Sequence, residues 1–418
     1  MGRTAKTRPL PWSRPPSRIG SHVHRPPTPL IRDVRILHIA QSIVGGVASF
    51  LEEVAPFQTQ LYGADNVHFL IPAGSEAHLG AVDASQILTF APTGRNPRAL
   101  LQFRGSAQRA ILKLQPDIVH LHSTFAGAAV RAAMPRHGGR PRIVYCAHGW
   151  AFGMEIARWK KRLYALIERA LASCTDIVLC ISQSEYDLAV AFGQQTQRMR
   201  VIRNGVAMMP LPRHKARSGP IRLGFIGRHD RQKGLDILLE TIGRFGLGGI
   251  RFDLIGEAVL GGCGGADVGR FNNVIHHGWM PRSEIFAKLA EFDAVVMPSR
   301  WEAFGLVAIE AMRAGVPVIA SNRGALPEIV EDGIGGLIFD LDDPDGLGEL
   351  LKRLDRSALM KLGARARARF EAEYVSERMN ELTCNAYDDA MSDGSIERVS
   401  HTAAHRPFSR RADCAVSS

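Results

Sequence analysis

The chain has 418 residues, 45% of them hydrophobic, with 52 Lys and Arg against 41 Asp and Glu and a formal net charge of +11. That length suits two or three domains at roughly 100–200 residues each. No apolar run reaches the roughly 18 residues of a membrane span, and the best candidate, 305–321, is interrupted by Glu310 and Arg313. The basic surplus favours an anionic partner, whether phosphorylated substrate, membrane surface or nucleic acid. Cys146, Cys174, Cys180, Cys263, Cys384 and Cys414 show no C-x-x-C and no zinc-like spacing, which points to buried thiols in a reducing compartment.

Residues 1–30 carry Arg3, Lys6, Arg8, Arg14, Arg18 and Arg25 with many prolines and no acid. This predicts a disordered basic arm, and the lack of an apolar segment behind it argues against a cleaved signal peptide. Residues 34–40 then predict a strand, Gly45-Gly46 a turn, and a helix begins near Ala48. Strands follow at 66–71, 117–122, 142–147, 176–181 and 201–202, with helices at 100–114 and 154–173. Three prolines and the cluster Arg213, His214, Lys215 and Arg217 mark 210–220 as an interdomain linker. After it the pattern restarts, with strands at 221–226, 251–255, 274–276, 294–297, 317–320 and 336–339. Helices are expected from Gly234, over 282–290 and from Leu306, with one last long helical region over 356–390. Strands alternating with helices imply parallel sheets covered on both faces. The expected division is a disordered arm (1–30), a Rossmann-like half (31–212), a second Rossmann-like half (213–391) and a disordered tail (392–418).

In doubly wound sheets ligands sit beyond the carboxyl ends of the strands. The segment Pro298-Ser-Arg-Trp-Glu302-Ala-Phe304-Gly305-Leu306 leaves such a strand end and opens a helix. A helix start offers backbone N–H groups and a favourable dipole to phosphate, and Gly305 has no side chain to obstruct it. Glu310, amid Leu306, Val307, Ile309 and Met312, is a carboxylate that needs partners, and ribose hydroxyls would serve. Arg228 and Lys233 leave a strand end on the same side and would neutralise a diphosphate and its developing charge. In the first half, Gly45 and Gly46 let a loop approach a ligand closely, although no G-x-G-x-x-G is present. His148 stands at a strand end beside Gly149, facing the cleft.

Taken together, Glu302-x7-Glu310, Phe304-Gly305, Arg228, Lys233, Asn204-Gly205-Val206 and the run from Ala311 to Ile319 resemble the retaining GT-B glycosyltransferases of family 4, over about residues 34–390. The resemblance implies an α/β GT-B fold of two Rossmann-like domains facing across a cleft, an N-terminal acceptor domain, and a C-terminal donor domain whose final helix packs back on the first. It implies His148, Arg228, Lys233 and Glu302 as catalytic residues. Gly45, Gly46, Asn204, Gly256, Phe304, Gly305, Leu306 and Glu310 would bind the donor. Arg228 and Lys233 would hold the diphosphate, Glu310 the ribose, Glu302 the sugar hydroxyls, and His148 would lie near the donor sugar's primary hydroxyl and the reacting carbon. It implies no cofactor and no metal, and no D-x-D that would argue for one is picked out. Where relatives carry G-x-G after the strand at 251–255, this chain has Glu257-Ala258 and then Gly261-Gly-Cys-Gly-Gly265. The base pocket is expected near Gly278-Trp279-Met280.

The function so implied is transfer of a hexose from a UDP- or GDP-linked sugar to a glycan or polyprenyl-diphosphate-linked acceptor in bacterial cell-surface polysaccharide or glycolipid synthesis. The alternative is a non-catalytic nucleotide-sugar-binding protein of the same fold. Nucleic-acid binding lacks any recognisable RNA-binding motif. Residues 154–172 interleave Arg158, Lys160, Lys161, Arg162 and Arg169 with Trp159, Leu163, Leu166 and Ile167, which suits either an anionic membrane surface or a core-packed helix with a solvated basic face. The expected location is cytoplasmic, with peripheral attachment to the membrane.

Overall fold

The computed structural model describes residues 33–392, apart from Val44, 92–95, 136–139, 213–217 and 259–267. The basic arm, most of the polar tail, the basic cluster of the linker and the Gly261–Gly265 loop lie outside the described residues. Among the described residues the chain builds two parallel sheets.

The first sheet comprises β1 (Ile36–Ala40), β2 (Val67–Pro72), β3 (Ile87–Phe90), β4 (Ile118–His122), β5 (Arg142–Cys146), β6 (Ile177–Cys180) and β7 (Met199–Val201). Its spatial order is β3-β2-β1-β4-β5-β6-β7. The associated helices are α1 (Gly46–Tyr62), α2 (Pro97–Leu114), α3 (Thr124–Arg131), α4 (Arg158–Leu171) and α5 (Gln183–Ala191). The second sheet comprises β8 (Ile221–Ile226), β9 (Ile250–Ile255), β10 (Val274–His276), β11 (Ala294–Met297), β12 (Val318–Ser321) and β13 (Gly336–Phe339). Its order is β10-β9-β8-β11-β12-β13, and its helices are α6 (Leu235–Phe245), α7 (Arg282–Leu289), α8 (Leu306–Arg313), α9 (Leu326–Val330), α10 (Gly346–Lys352) and α11 (Arg356–Glu373). In both sheets the strand order reverses beside the first strand, between β1 and β4 and between β8 and β11, and such switch points open a ligand crevice.

Strands buried on both faces read as apolar runs, and β1, β4 and β11 are buried throughout. One apolar cluster runs from Ile36 and Val54 through Val295 and Ile309 to Met379 and Tyr387, so the two halves share a core. The described cysteines, Cys146, Cys174, Cys180 and Cys384, are buried thiols. No described helix is long and apolar enough to cross a membrane.

The long helical region expected over 356–390 is two helices, α11 and α12 (Ser376–Met391), broken at Tyr374-Val375. There Val206 N–H donates to Tyr374 O (3.0 Å), and Ser376 N–H donates to Val206 O (3.1 Å). This short bridge takes the backbone out of the helix. A Cβ on Gly205 would lie 2.5 Å from Val375 O, so only glycine lets the crossover pass this closely. Beyond the break, α12 lies on α1, where Asn380 Nδ2 donates to Glu53 O (3.2 Å). The helix expected from Met154 begins at Arg158. Elements not anticipated are β3, α3, α5, α9 and α10. Of these β3 is a four-residue edge strand, and α5 has almost no apolar stripe to betray it.

Candidate active site

The loop after β11 and the loop after β8 meet at one ion pair. Lys233 Nζ lies 2.6 Å from Glu302 Oε2, both largely buried. Two glycines shape this contact. A Cβ on Gly234, which is left-handed (φ 73°), would strike Pro298 O at 2.0 Å. A Cβ on Gly324 (φ 56°) would strike Glu302 O at the same distance. Gly305 (φ 103°) precedes α8 in the left-handed region, and no side chain caps that helix; Ala308 N–H donates to Gly305 O (2.9 Å), which leaves the N–H groups of Leu306 and Val307 to face a ligand. Phe304 is buried in the core and can offer only its backbone. Arg228 does not join Lys233 at Glu302. Its Nε pairs with Asp230 (2.9 Å) and its Nη2 donates to Gln232 (2.8 Å), on a half-exposed side chain.

Glu310 is buried, as the apolar helix around it required, but its partner within the protein is Arg282 at the start of α7, Nε to Oε1, 2.9 Å. Arg282 also reaches across the cleft to Glu52 (2.7 Å) and Glu53 (3.5 Å) of α1. Burial raises the Glu53 carboxyl above its usual range, against the pull of Arg282.

From the other half, α1 also begins without a side-chain cap, after left-handed Gly45 (φ 61°). A Cβ on Gly46 would sit 3.9 Å from Leu306 Cδ1, so the starts of α1 and α8 face each other. Gly149 (φ 113°) abuts the Glu302 loop, where its Cβ would lie 3.2 Å from Ala303 Cβ. Ser182 Oγ donates to Ala303 O (2.8 Å). Glu328 of α9 accepts from Gln183 N–H (3.0 Å), Ser184 N–H (3.1 Å) and Arg203 Nε (2.9 Å), binding the second half to the start of α5.

His148 holds a left-handed backbone (φ 52°), unusual outside glycine, and its ring stands edge-on to Phe50. Burial pushes its pKa down to about 3, so the imidazole is neutral at working pH. Behind it lies Glu185, which accepts from Gly149 N–H (2.8 Å) and Ile181 N–H (2.7 Å). Burial pushes Glu185 up to about 7, opposed by those two N–H groups.

Gly256 and Asn204 have local structural roles. A Cβ on Gly256 would strike Gly227 O at 2.0 Å, so this glycine lets the β9 loop pack on the β8 loop. Its N–H donates to Gly278 O (2.8 Å), and Trp279 N–H donates to Glu257 (3.4 Å), which joins the expected base-pocket loop to the end of β9. Asn204 is buried in the crossover beside Gly205. Two D-x-D runs are in fact present after β13, Asp343-Pro344-Asp345 and, just before it, Asp340-Leu341-Asp342. Asp340 accepts from Asn322 Nδ2 (2.7 Å) and Asp342 pairs with Arg323, so both carboxylates serve the local turn.

On α4, Ala165 and Tyr164 pack on the core of the first half. Its buried positions are Ala165 and Glu168, while Trp159, Leu163, Leu166 and Ile167 are exposed alongside Arg158, Lys160 and Arg162, with Lys161 half-buried.

Sequence reasoning missed Arg282, Glu52, Glu185, Glu328, His38 and His122. Ser182-x-x-Glu185 is a helix-start pattern that marks Glu185. His120 and His122 alternate on one face of a predicted strand. The ion pairs of Arg282 and Glu328 join residues far apart in the chain and leave no local signal.

Two Rossmann-like halves with a site at their facing switch points define a GT-B sugar transferase. The fold agrees with solved structures. Sucrose-phosphate synthase of Thermosynechococcus elongatus matches with TM-score 0.70 at 19% identity, over 85% of this chain and 98% of that one. Anabaena HepE, solved with UDP and glucose, also matches with TM-score 0.70 at 19% identity, over 85% and 99%. Residues 44–208 match the family model described as Glycosyltransferase Family 4, and 220–356 match Glycosyl transferases group 1. A 41.2 kDa protein of a Klebsiella pneumoniae cps region is 32% identical over 330 residues, 76% of this chain and 89% of the relative. Glycogen synthase of Mycobacterium tuberculosis is 26% identical over 289 residues, 65% and 69% of the two chains. The chain belongs to the group 1, family 4 glycosyltransferases.

Proposed function

We propose that this glycosyltransferase moves a hexose from a nucleoside-diphosphate sugar to a glycan or lipid-linked acceptor with retention of configuration, in synthesis of a cell-surface polysaccharide or glycolipid. The observation that carries the reading is the Lys233–Glu302 pair, set beside the uncapped start of α8, which faces the uncapped start of α1. Two helix starts and an ammonium group form an anion site. An incoming diphosphate would compete with Glu302 for Lys233. The freed carboxylate would then accept from sugar hydroxyls, while Glu310, shared with Arg282, would accept from the ribose. The C1–O bond to the diphosphate breaks as the acceptor oxygen bonds C1 from the same face. The acceptor proton passes to the departing phosphate oxygen, whose charge Lys233 and the helix starts stabilise. These groups supply the reading without a metal or cofactor. The cps-region relative and the UDP- and glucose-bound HepE support the polysaccharide and nucleotide-sugar parts.

A screen of UDP- and GDP-sugars by thermal shift and then by turnover tests this, with the product anomer read by NMR. One donor should raise the melting temperature through mass action and yield a product of unchanged anomeric configuration. No shift and no turnover with any donor sinks the transferase proposal, inversion sinks retention, and a shift without turnover favours a non-catalytic binder. The exposed apolar and basic side chains of α4 support a second step, docking on an anionic membrane that carries the acceptor. Sedimentation with phosphatidylglycerol vesicles at low salt should show weak binding, and its absence ends that idea.

A further inference from the structure

Behind His148 the side chains of His122, His38 and Gln58 form one continuous hydrogen-bond chain at the β1/β4 switch point, and the groups at its far end determine its direction. Gln58 Nε2 donates to the Tyr387 hydroxyl of α12 at 3.2 Å, which leaves Gln58 Oε1 to accept from His38 Nε2 at 2.8 Å. Burial holds His38, His122 and His148 below the usual histidine range, so each ring carries one proton. A neutral ring that donates through Nε2 accepts through Nδ1. His38 Nδ1 therefore accepts from His122 Nε2 at 3.0 Å, and His122 Nδ1 accepts from His148 Nε2 at 3.0 Å. His148 is left with its proton on Nε2 and a lone pair on Nδ1, a buried atom with no hydrogen-bond partner among the described residues. The Tyr387 hydroxyl, having accepted from Gln58, donates to His120 Nδ1 at 2.7 Å, so His120 is a side branch.

The nitrogens of His38, His120 and His122 lie within 4.8 Å of one another, a spacing that could also suit a metal ion. That alternative fits less well. Both nitrogens of His38 and of His122 are already hydrogen-bonded, and the two rings stack nearly parallel, 12° apart, instead of aiming at a common point.

We propose that Gln58, His38 and His122 are positioning residues that hold His148 in one tautomer, so that Nδ1 serves as a neutral acceptor for a hydroxyl of the sugar. The proposal rests on the transferase reading for the hydroxyl only, because the tautomer belongs to the protein whatever it binds. Gln58 sits on α1 and Tyr387 on α12, so the two helices that close over this face of the sheet also set the polarity of a group at the cleft.

Long-range 1H–15N correlation on the full chain labelled at histidine reads each tautomer directly. Wild type should show His148 protonated at Nε2 alone. Gln58→Met keeps the shape but removes both amide bonds, and should leave His148 as a mixture of tautomers. It should also lower kcat about 10- to 100-fold, while the donor KM moves less than about 3-fold. His122→Asn keeps an oxygen near the position of Nδ1 and should restore the single tautomer and most of kcat, whereas His122→Phe should not. If His122→Phe does not fold, Gln58→Met decides alone. A His148 tautomer unchanged in Gln58→Met, or changed without loss of kcat, overturns the proposal. So does uptake of one equivalent of zinc that shifts His38, His120 and His122 together. Absence of turnover with every donor would sink the transferase reading, and the tautomer claim would still stand or fall on the spectra.

Discussion

Two buried polar clusters lie on opposite faces of the first sheet, and they differ in how they end. On one face Arg131 donates to Glu168 Oε2 (2.7 Å), Gly127 O (2.9 Å) and Thr175 Oγ1 (3.3 Å), with its guanidinium 3.7 Å above the Tyr145 ring. The Tyr145 hydroxyl donates to the other Glu168 oxygen (2.9 Å), so the cluster is closed and charged. On the other face, the neutral chain through His38 and His122 ends at His148 Nδ1, with no partner among the described residues. Strand alternation separates them, since His120 and Val119 are neighbours on β4 that point to opposite faces. A closed cluster can only hold the fold together. One that ends on a buried, unpartnered acceptor beside the cleft can also act on a ligand that reaches it.

The largest effect should come from breaking the closed cluster. Arg131→Met leaves the Glu168 carboxylate buried and unpaired and should destabilise by about 3–5 kcal/mol in urea unfolding, with turnover per folded molecule unchanged. Loss of turnover at full folding would mean that this cluster too serves the site. At the site the reverse is expected. Lys233→Ala should lower kcat by about 10²- to 10³-fold with little change in melting temperature, and near-wild-type kinetics would mean that the diphosphate lies elsewhere.

Glu185 sharpens the contrast, because it is buried like Glu168 but lacks a cation. Its folded pKa, about 7, lies above its unfolded value, so its proton favours the native state. That contribution is complete below the unfolded pKa and is lost as pH rises through about 7. Wild type should therefore lose roughly 2–3 kcal/mol across that window relative to Glu185→Gln, as read from urea midpoints. Parallel pH curves would refute it. The smallest effect is expected at the interdomain tether. Glu310→Ala should weaken donor binding about 10-fold by calorimetry, and unchanged affinity would assign Glu310 to Arg282 alone.

Much of the fold was legible because each strand and helix declares itself locally. Apolar runs such as Asp117-Ile-Val-His-Leu-His122 alternate with amphipathic stretches, and glycines and prolines punctuate them. What escaped was weakly patterned, as in α5, or depended on distant backbone. Nothing in residues 356–390 announces the break at Tyr374, because Val206 makes it. The site divides the same way. Glu302, Gly305 and Glu310 stand on one strand–loop–helix unit whose geometry the spacing carries. Arg228 pairs with Asp230, two residues on, a contact the motif did not announce. Glu310 was recognised as needing a partner, but Arg282 was not foreseen, because a carboxylate in an apolar helix announces its need and not its answer.

By itself, then, the sequence determined the two parallel α/β halves, the phosphate-ready helix start at Gly305 and the glutamates around it, all consequences of local periodicity and backbone freedom. Only the tertiary structure decided which charges meet across the cleft and which way the protons run behind His148. Gln58 and Tyr387 come within bonding distance only when α1 and α12 close over one sheet, and Glu52 and Arg282 only when the two halves face each other. A hydrogen-bond chain takes its direction from its ends, and in this protein one end lies on α12, far along the chain from β1 and α1.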